Sequence, residues 1–580
     1  MSMEATDRSS ALGQPVRRIH LLAAVLLLIL FLLRVAAIFT ENVNWDEFAL
    51  MTRVLKTQQS GRMAAGGRPG LAVLMLLPVA SRCDNEVTVV QHARILWTLV
   101  TAVYLWGLFV LLKRVFGQSP HATTDALLAV ACLALVPPFL RWSIQVRTDQ
   151  AALAFSVWAG VALVASGQRR AWALVGGVLT AAGYLCSQKA LYLVPLLGIL
   201  VLFDLLLRRP RPISLVLQRG ALFVVGAAAA YLAYGSILPL FLVPPTTATF
   251  ESVASVFDFY RQAVGYSHYR GIAPFLLPHA VLLLLSVVCG FLVRWRCPTP
   301  DARRHVIHLI SAWSILLLGV GVALFHAAAF YYFWMTLGLF LAVAIGLVQE
   351  PIRNLLLMRP RSRTVLLVAL WSALVAPGLY AMGHLLRDTQ SFQQTSFDFV
   401  RRSFSRDDVG FHPEGALFCQ RDPQPFRTYL SQQIRFNFYG KDAGRNTRQL
   451  VSDFVHKPVK FILDSWRLRL FPPAIQKFWF DNYQPYWGSI WIPRRRISGR
   501  RGIPFATEIL IPGRYRWIPS SPVRLAIDGV TLDPGGTIKL TAGRHTVTPI
   551  GADGNGLLVY AVKTPPAPAR VPFYKPFAPW

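Results

Sequence analysis

The chain has 580 residues, 54% hydrophobic and only 15% charged; a water-soluble protein of this length carries more charge, so lipid must solvate the apolar excess. Its formal net charge is +31, from 59 Lys and Arg against 28 Asp and Glu. The basic residues sit in short clusters between apolar runs rather than in one arm or stripe, and no nucleic-acid module is visible, so no nucleic-acid partner is expected.

Apolar runs of spanning length predict about eleven membrane helices. The first covers about 20–39, with Arg34 inside it placed to snorkel outward or to face the bundle. Its length, and the lack of a small-x-small cleavage site, mark a retained anchor rather than a cleaved leader. Others follow near 93–112, 124–141, 151–166, 171–186, 191–207, 221–243, 272–293, 306–325, 330–348 and 365–382. Arg17-Arg18, Lys113-Arg114, Arg169-Arg170, Arg208-Arg209-Arg211, Arg294 to Arg304 and Arg353 to Arg363 occupy alternate ends of these runs. The positive-inside rule makes that side cytoplasmic, with the N-terminus inside and everything after about Gly383 outside. The six cysteines show no CxxC or Cys/His spacing, which argues against zinc or iron–sulfur chemistry. Cys83 and Cys419, both on outside segments, are able to pair but are expected as free thiols.

The outside connectors carry the polar chemistry. In the first, Asn44-Trp45-Asp46-Glu47 opens an amphipathic helix expected to lie on the membrane surface, its stripe formed by Phe48, Leu50, Met51, Val54 and Leu55. Asn44 as N-cap with Glu47 three residues on reads as a variant capping box, so Glu47 is either structural or chemical. The same connector carries Gly66-Gly67-Arg68-Pro69-Gly70. The second is short and holds Arg147 and Asp149, readable as a plain salt bridge; the third holds Lys189, readable as a snorkelling anchor. A long loop over about 244–270, including His268, Tyr269 and Arg270, is either a substrate lid or a polar cap.

From about Gly383 no spanning run remains. Val459 to Leu463 has the pattern of a buried strand, and Asn482 to Gly488 that of an aromatic turn. Val523–Ile527, Ile538–Leu540, His545–Pro549 and Leu557–Val562 read as short strands, separated by turn pairs such as Asp528-Gly529. The expected organisation is a membrane module over 1–383, a mixed α/β segment over 384–510 and a small β-sandwich domain over 511–580.

An acidic pair after the first span, an Arg/Asp pair after the third and a Lys after the fifth resemble the GT-C superfamily of glycosyltransferases. The likeness is closest to the lipid A aminoarabinose transferase and protein O-mannosyltransferase branch. It covers roughly the first 200 residues; beyond them, Phe325-His326 and Tyr331-Tyr332 are similar to the family's late aromatic segment. The resemblance implies an α-helical polytopic GT-C fold in a bacterial inner membrane, with the C-terminal domain periplasmic. It also implies transfer of a sugar from a polyprenyl-phosphate donor to a lipid A, glycan or protein acceptor. Asp46 would be the base, with Glu47 sharing the role; Lys189 and Arg147, with Arg68, would hold the phosphate. Asp149 would orient Arg147 or a donor hydroxyl. No cofactor is implied beyond a possible divalent cation. The alternatives are an oligosaccharide ligase or polymerase with a diphosphate-linked donor, a transporter, for which no internal repeat is visible, and a non-catalytic binder of glycan lipid.

Overall fold

A computed structural model describes residues 21, 24–61, 70–81, 85–115, 122–167, 169–194, 213–241, 376, 378–413, 415–419, 434 and 437–562. Arg68, His268, Tyr269, Arg270, the late aromatic segment and the runs between 272 and 348 lie outside these residues. The membrane module contains α1 (Ala24–Ala37), α2 (Trp45–Ser60), α3 (Leu71–Leu76), α4 (Glu86–Val115), α5 (Ala122–Leu135), α6 (Pro137–Ile144), α7 (Thr148–Ala165), α8 (Ala171–Cys186) and α9 (Ile213–Phe241). Among the described residues, three helices are long and apolar enough to cross a membrane, within α4, α7 and α9, and three shorter ones, α1, α5 and α8, are comparably apolar.

Where α8 and α9 cross, glycines set the spacing: a Cβ on Gly177 would collide with the Phe223 carbonyl oxygen, and one on Gly226 with that of Leu174. Close backbone approach through small residues is how membrane helices gain packing energy without a hydrophobic driving force. The run expected as one span over 124–141 is broken at Val136, whose backbone is extended, and Pro137 starts α6. Proline has no N–H to give a continuing helix but suits the first turn of a new one.

Helix α2 has the expected capping box at Asn44 and ends at Gly61, in the left-handed region at φ 60°. Its apolar stripe meets protein rather than a membrane surface. Phe48 packs against Phe397, Phe418 and His412, and the Thr52 hydroxyl donates to the Gly415 carbonyl at 2.7 Å. These partners belong to the C-terminal region, where α10 (Ser391–Ser403) also clamps the loop before α2: the Gln393 amide both accepts from Val43 N–H and donates to its carbonyl. Nearby, Cys419 is disulfide-bonded, which corrects the expectation of a free thiol; its partner cysteine lies outside the described residues.

The C-terminal region adds α11 (Ala443–His456) and α12 (Pro473–Asn482) to β1 (Val409–Phe411), β2 (Val459–Leu463), β3 (Tyr483–Trp487), β4 (Ile490–Gly499), β5 (Phe505–Ile509), β6 (Gly513–Pro519), β7 (Arg524–Ile527), β8 (Val530–Leu532), β9 (Thr537–Leu540), β10 (Gly543–Ile550) and β11 (Gly554–Tyr560). One sheet runs β1-β2-β4-β11-β6-β9 with β3 also on β4, and the other β5-β10-β7-β8. Trp517, Tyr515 and Leu558 of the first sheet meet Leu525, Ile527 and Val547 of the second in one core, a sandwich packing. The segment read as an aromatic turn is strand β3, paired antiparallel with β4, and the turn itself is confined to Gly488-Ser489. Asp528 and Gly529 join β7 to β8 with φ 50° and 83°, the paired positive values that Asp-Gly hairpins supply.

Candidate active site

Three connectors at one end of the bundle converge on a chain of charges. Arg147 is the extended residue just before α7, its carbonyl held by Trp97 Nε1 at 2.6 Å. Its Nη1 donates to Asp46 Oδ2 at 2.8 Å, its Nε lies 3.9 Å from Asp149 Oδ2, and its guanidinium stacks 4.9 Å from the Trp142 ring. Lys189, in the 3-10 turn after α8, donates to the same Asp149 oxygen at 2.8 Å, while Ser187 donates to Asp149 Oδ1 at 2.9 Å. Asp149 itself sits in the first turn of α7, where the helix dipole also favours a negative charge. Burial pushes the Lys189 ammonium down to about 8; the Arg147 charge adds to that, and Asp149 opposes it.

Four of the expected site residues, Asp46, Arg147, Asp149 and Lys189, therefore form one contiguous cluster. Arg147 and Asp149 are buried, Lys189 is partly buried with 14% of its side chain exposed, and the Asp46 side chain is 31% exposed.

Glu47 goes elsewhere. One residue further along α2 turns its side chain about 100° away from that of Asp46, into the protein. Its Oε2 accepts from Asn44 N–H at 2.8 Å and Arg94 Nη2 at 2.6 Å; its Oε1 accepts from Arg94 Nε at 2.8 Å and Val146 N–H at 2.9 Å. Both side chains of the Glu47–Arg94 pair are 0% exposed. Arg94 spends its remaining donors on the carbonyls of Ile38, Glu41 and Asn42. This bidentate pair ties the end of α1, the start of α2, α4 and the strand-like turn before α7 into one unit. Asn44 adds a side-chain bond to Gln145 at 3.2 Å.

Sequence reasoning passed over Arg94. The available signal was an arginine one residue inside an apolar run, since ionisable groups at membrane depth are seldom incidental. Ser187 and Trp142 carried no signal of their own. Among the described residues, no group of three or more His, Cys, Asp or Glu side chains is placed to share a metal ion.

Residues 84–231 match the model of the dolichyl-phosphate-mannose-protein mannosyltransferase family. No curated protein sequence matches the chain. Among solved structures, ArnT from Cupriavidus metallidurans bound to undecaprenyl phosphate is similar at 11% identity and a TM-score of 0.51, over 77% of this chain and 94% of that one. The archaeal oligosaccharyltransferase AglB from Archaeoglobus fulgidus, in complex with an inhibitory peptide and a dolichol-phosphate, aligns over 94% of this chain and 98% of its own. Its identity is 10% and its TM-score 0.49, too loose a superposition to carry weight. The matched stretch covers the connectors of Arg147 and Lys189, and the chain shares its fold with ArnT.

Proposed function

We propose that the protein transfers a sugar from a polyprenyl-phosphate donor to an acceptor on the outer face of a bacterial inner membrane, with the N-terminus cytoplasmic and residues after 383 periplasmic. The observation that carries this reading is the convergence of Asp46, Arg147, Asp149 and Lys189, from three separate connectors, in direct ion-pair contact. A donor of this class keeps its tail in the bilayer and presents one phosphate at the boundary. The acceptor oxygen attacks the anomeric carbon, the bond from that carbon to the phosphate oxygen breaks, and the acceptor proton passes to Asp46 Oδ2. The departing phosphate gains a negative charge, which Lys189 and Arg147 offset. Asp149 holds both cations in reach of one anion. Because Asp46 Oδ2 is engaged by Arg147 before the donor arrives, a phosphate that draws the guanidinium away leaves that oxygen able to accept the proton. Donor binding and release of the base are then one event.

Glu47 and Arg94 act as positioning residues that fix Asp46 and Arg147 on one frame. Arg68, His268, Tyr269 and Arg270 complete the proposed substrate contacts from the first and the long outside loops.

The test is reconstitution of the purified chain in vesicles with polyprenyl-phosphate sugars, following free polyprenyl phosphate together with mass spectrometry of envelope glycans from cells with and without the protein. Sugar loss from one glycolipid, glycan or protein in the deleted cells names the acceptor. Unchanged glycans alongside uptake of a solute by the vesicles would replace the transferase with a transporter. A reporter active only outside the cytoplasm, fused after Trp580, should give signal; a silent but stable fusion reverses the orientation.

A further inference from the structure

Away from the active site, α1, α4 and α5 enclose a cavity of about 280 Å³. Leu30, Phe31, Leu105, Trp106 and Leu127 are among the side chains that line it, and its walls are almost wholly apolar. It is elongated along the helices: its lining runs from Leu27 to Arg34 on α1 and from Thr98 to Phe109 on α4, roughly 10 Å and 16 Å of helix rise. Trp106, 61% exposed, stands at its side among the exposed Leu28, Leu32 and Val103, so the slot opens toward lipid rather than water.

Among the described residues, the one charged group in its wall is Arg34, at the end nearest the outer boundary in the orientation proposed above and 4% exposed. Its Nη2 donates to the Ala134 carbonyl at 3.2 Å and its guanidinium lies 5.1 Å from the Phe139 ring centroid. Its Nε is buried without a hydrogen-bond partner, and among the described residues no carboxylate lies within ion-pair distance. A guanidinium has five donors, and at membrane depth such a cation is seldom left without an anion.

We propose that this slot is a binding site for one acyl chain of an anionic phospholipid of the outer leaflet, with the lipid phosphate on Arg34. Charge complementarity selects the head, and the narrow apolar shape selects a chain. The site is separate from the Asp46–Lys189 cluster and does not depend on transfer activity.

The experiment is native mass spectrometry of the purified full-length protein, delipidated and then exposed to phosphatidylglycerol or phosphatidylcholine. Phosphatidylglycerol should be retained with about a tenfold preference, the scale of one charge-assisted contact. Arg34→Gln should lower it to the phosphatidylcholine level, while Arg34→Lys keeps part of the preference. Ala102→Phe, which fills the slot and leaves the charge in place, should lower retention of both lipids without changing the melting temperature. Should Arg34→Gln fail to fold, Ala102→Phe decides alone. No preference in the unmodified protein, or full retention by either variant, overturns the site. Displacement of phosphatidylglycerol by polyprenyl phosphate also overturns it, because the slot would then belong to the donor.

Discussion

Two ionic clusters begin at neighbouring residues of one helix and differ in almost every physical respect. Glu47 and Arg94 are sealed from solvent, bidentate, with every carboxylate oxygen matched to two donors. Asp46, Arg147, Asp149 and Lys189 form an open chain in which one carboxylate is partly exposed and two cations share one acid. A sealed pair with all bonds satisfied fixes geometry but has no capacity left for a ligand. A chain with two cations and an accessible end retains charge that an incoming anion can use. The contrast separates a structural fastening from a candidate reactive centre better than residue type does, since both clusters consist of carboxylates and basic side chains.

The largest effect should come from breaking the sealed pair. Arg94→Met leaves Glu47 buried without its counter-ion and should cost about 3–5 kcal/mol of stability, whereas Glu47→Leu combined with Arg94→Met should recover most of that loss. Thermal unfolding in detergent reads both. A single variant as stable as the parent would mean that the pair fastens nothing.

In the open cluster, Lys189→Ala and Arg147→Ala should each weaken transition-state stabilisation by about 2–4 kcal/mol, seen as lost turnover and weaker binding of free polyprenyl phosphate. Alanine variants that bind the phosphate as tightly as the parent remove both residues from the donor site. Asp46→Asn keeps the shape and the capping geometry, so it should lower turnover about 100-fold or more with little change in melting temperature. Near-normal transfer by that variant would take Asp46 out of the mechanism, and parallel losses of stability and activity would put it in the same class as Glu47.

The open cluster should also respond to pH. Because burial holds the Lys189 ammonium down near 8, affinity for polyprenyl phosphate should be full below that value and fall as pH rises through it, about tenfold per unit if one proton is involved. Lys189→Arg should move the fall to higher pH. If the parent and the arginine variant share one profile, Lys189 does not carry the charge that matters.

The smallest effect belongs to the sandwich. Burial opposes a charge on His545, but the Asp528 carboxylate at 2.6 Å and the Thr541 carbonyl hold it above its usual range, while His545 and the Thr546 N–H hold Asp528 below its own. A raised histidine stabilises below its ordinary value and loses that as pH rises through the raised one; a depressed aspartate stabilises above its ordinary value and loses that as pH falls through the depressed one. The pair therefore contributes between the ordinary aspartate and histidine ranges. With Asp528 half exposed, the contribution should stay below about 1 kcal/mol. Asp528→Asn should flatten the acid-side stability profile without touching transfer.

The sequence alone carried many of the described elements and named the four residues of the candidate cluster. Apolar run length placed most of the described membrane helices, the divided run over 124–141 aside, because hydrocarbon forces every backbone polar group to be satisfied within a helix. The capping box at Asn44 and the Asp-Gly hairpin were legible because both are set by residues within four positions of each other. Asp46, Arg147, Asp149 and Lys189 stood out as polar residues on the outside connectors, and the superfamily likeness grouped them. What the tertiary structure decided is where each charge points and what it meets. The divergent fates of Asp46 and Glu47, the role of Arg94, and the covering of α2 by α10 and the Cys419 loop all rest on contacts between segments tens to hundreds of residues apart. The aromatic segment 483–487 became a strand for the same reason: β4 offered it an antiparallel edge. Strand character depends on such a neighbour, and burial of a charge on the walls around it, and neither is a property of the local sequence.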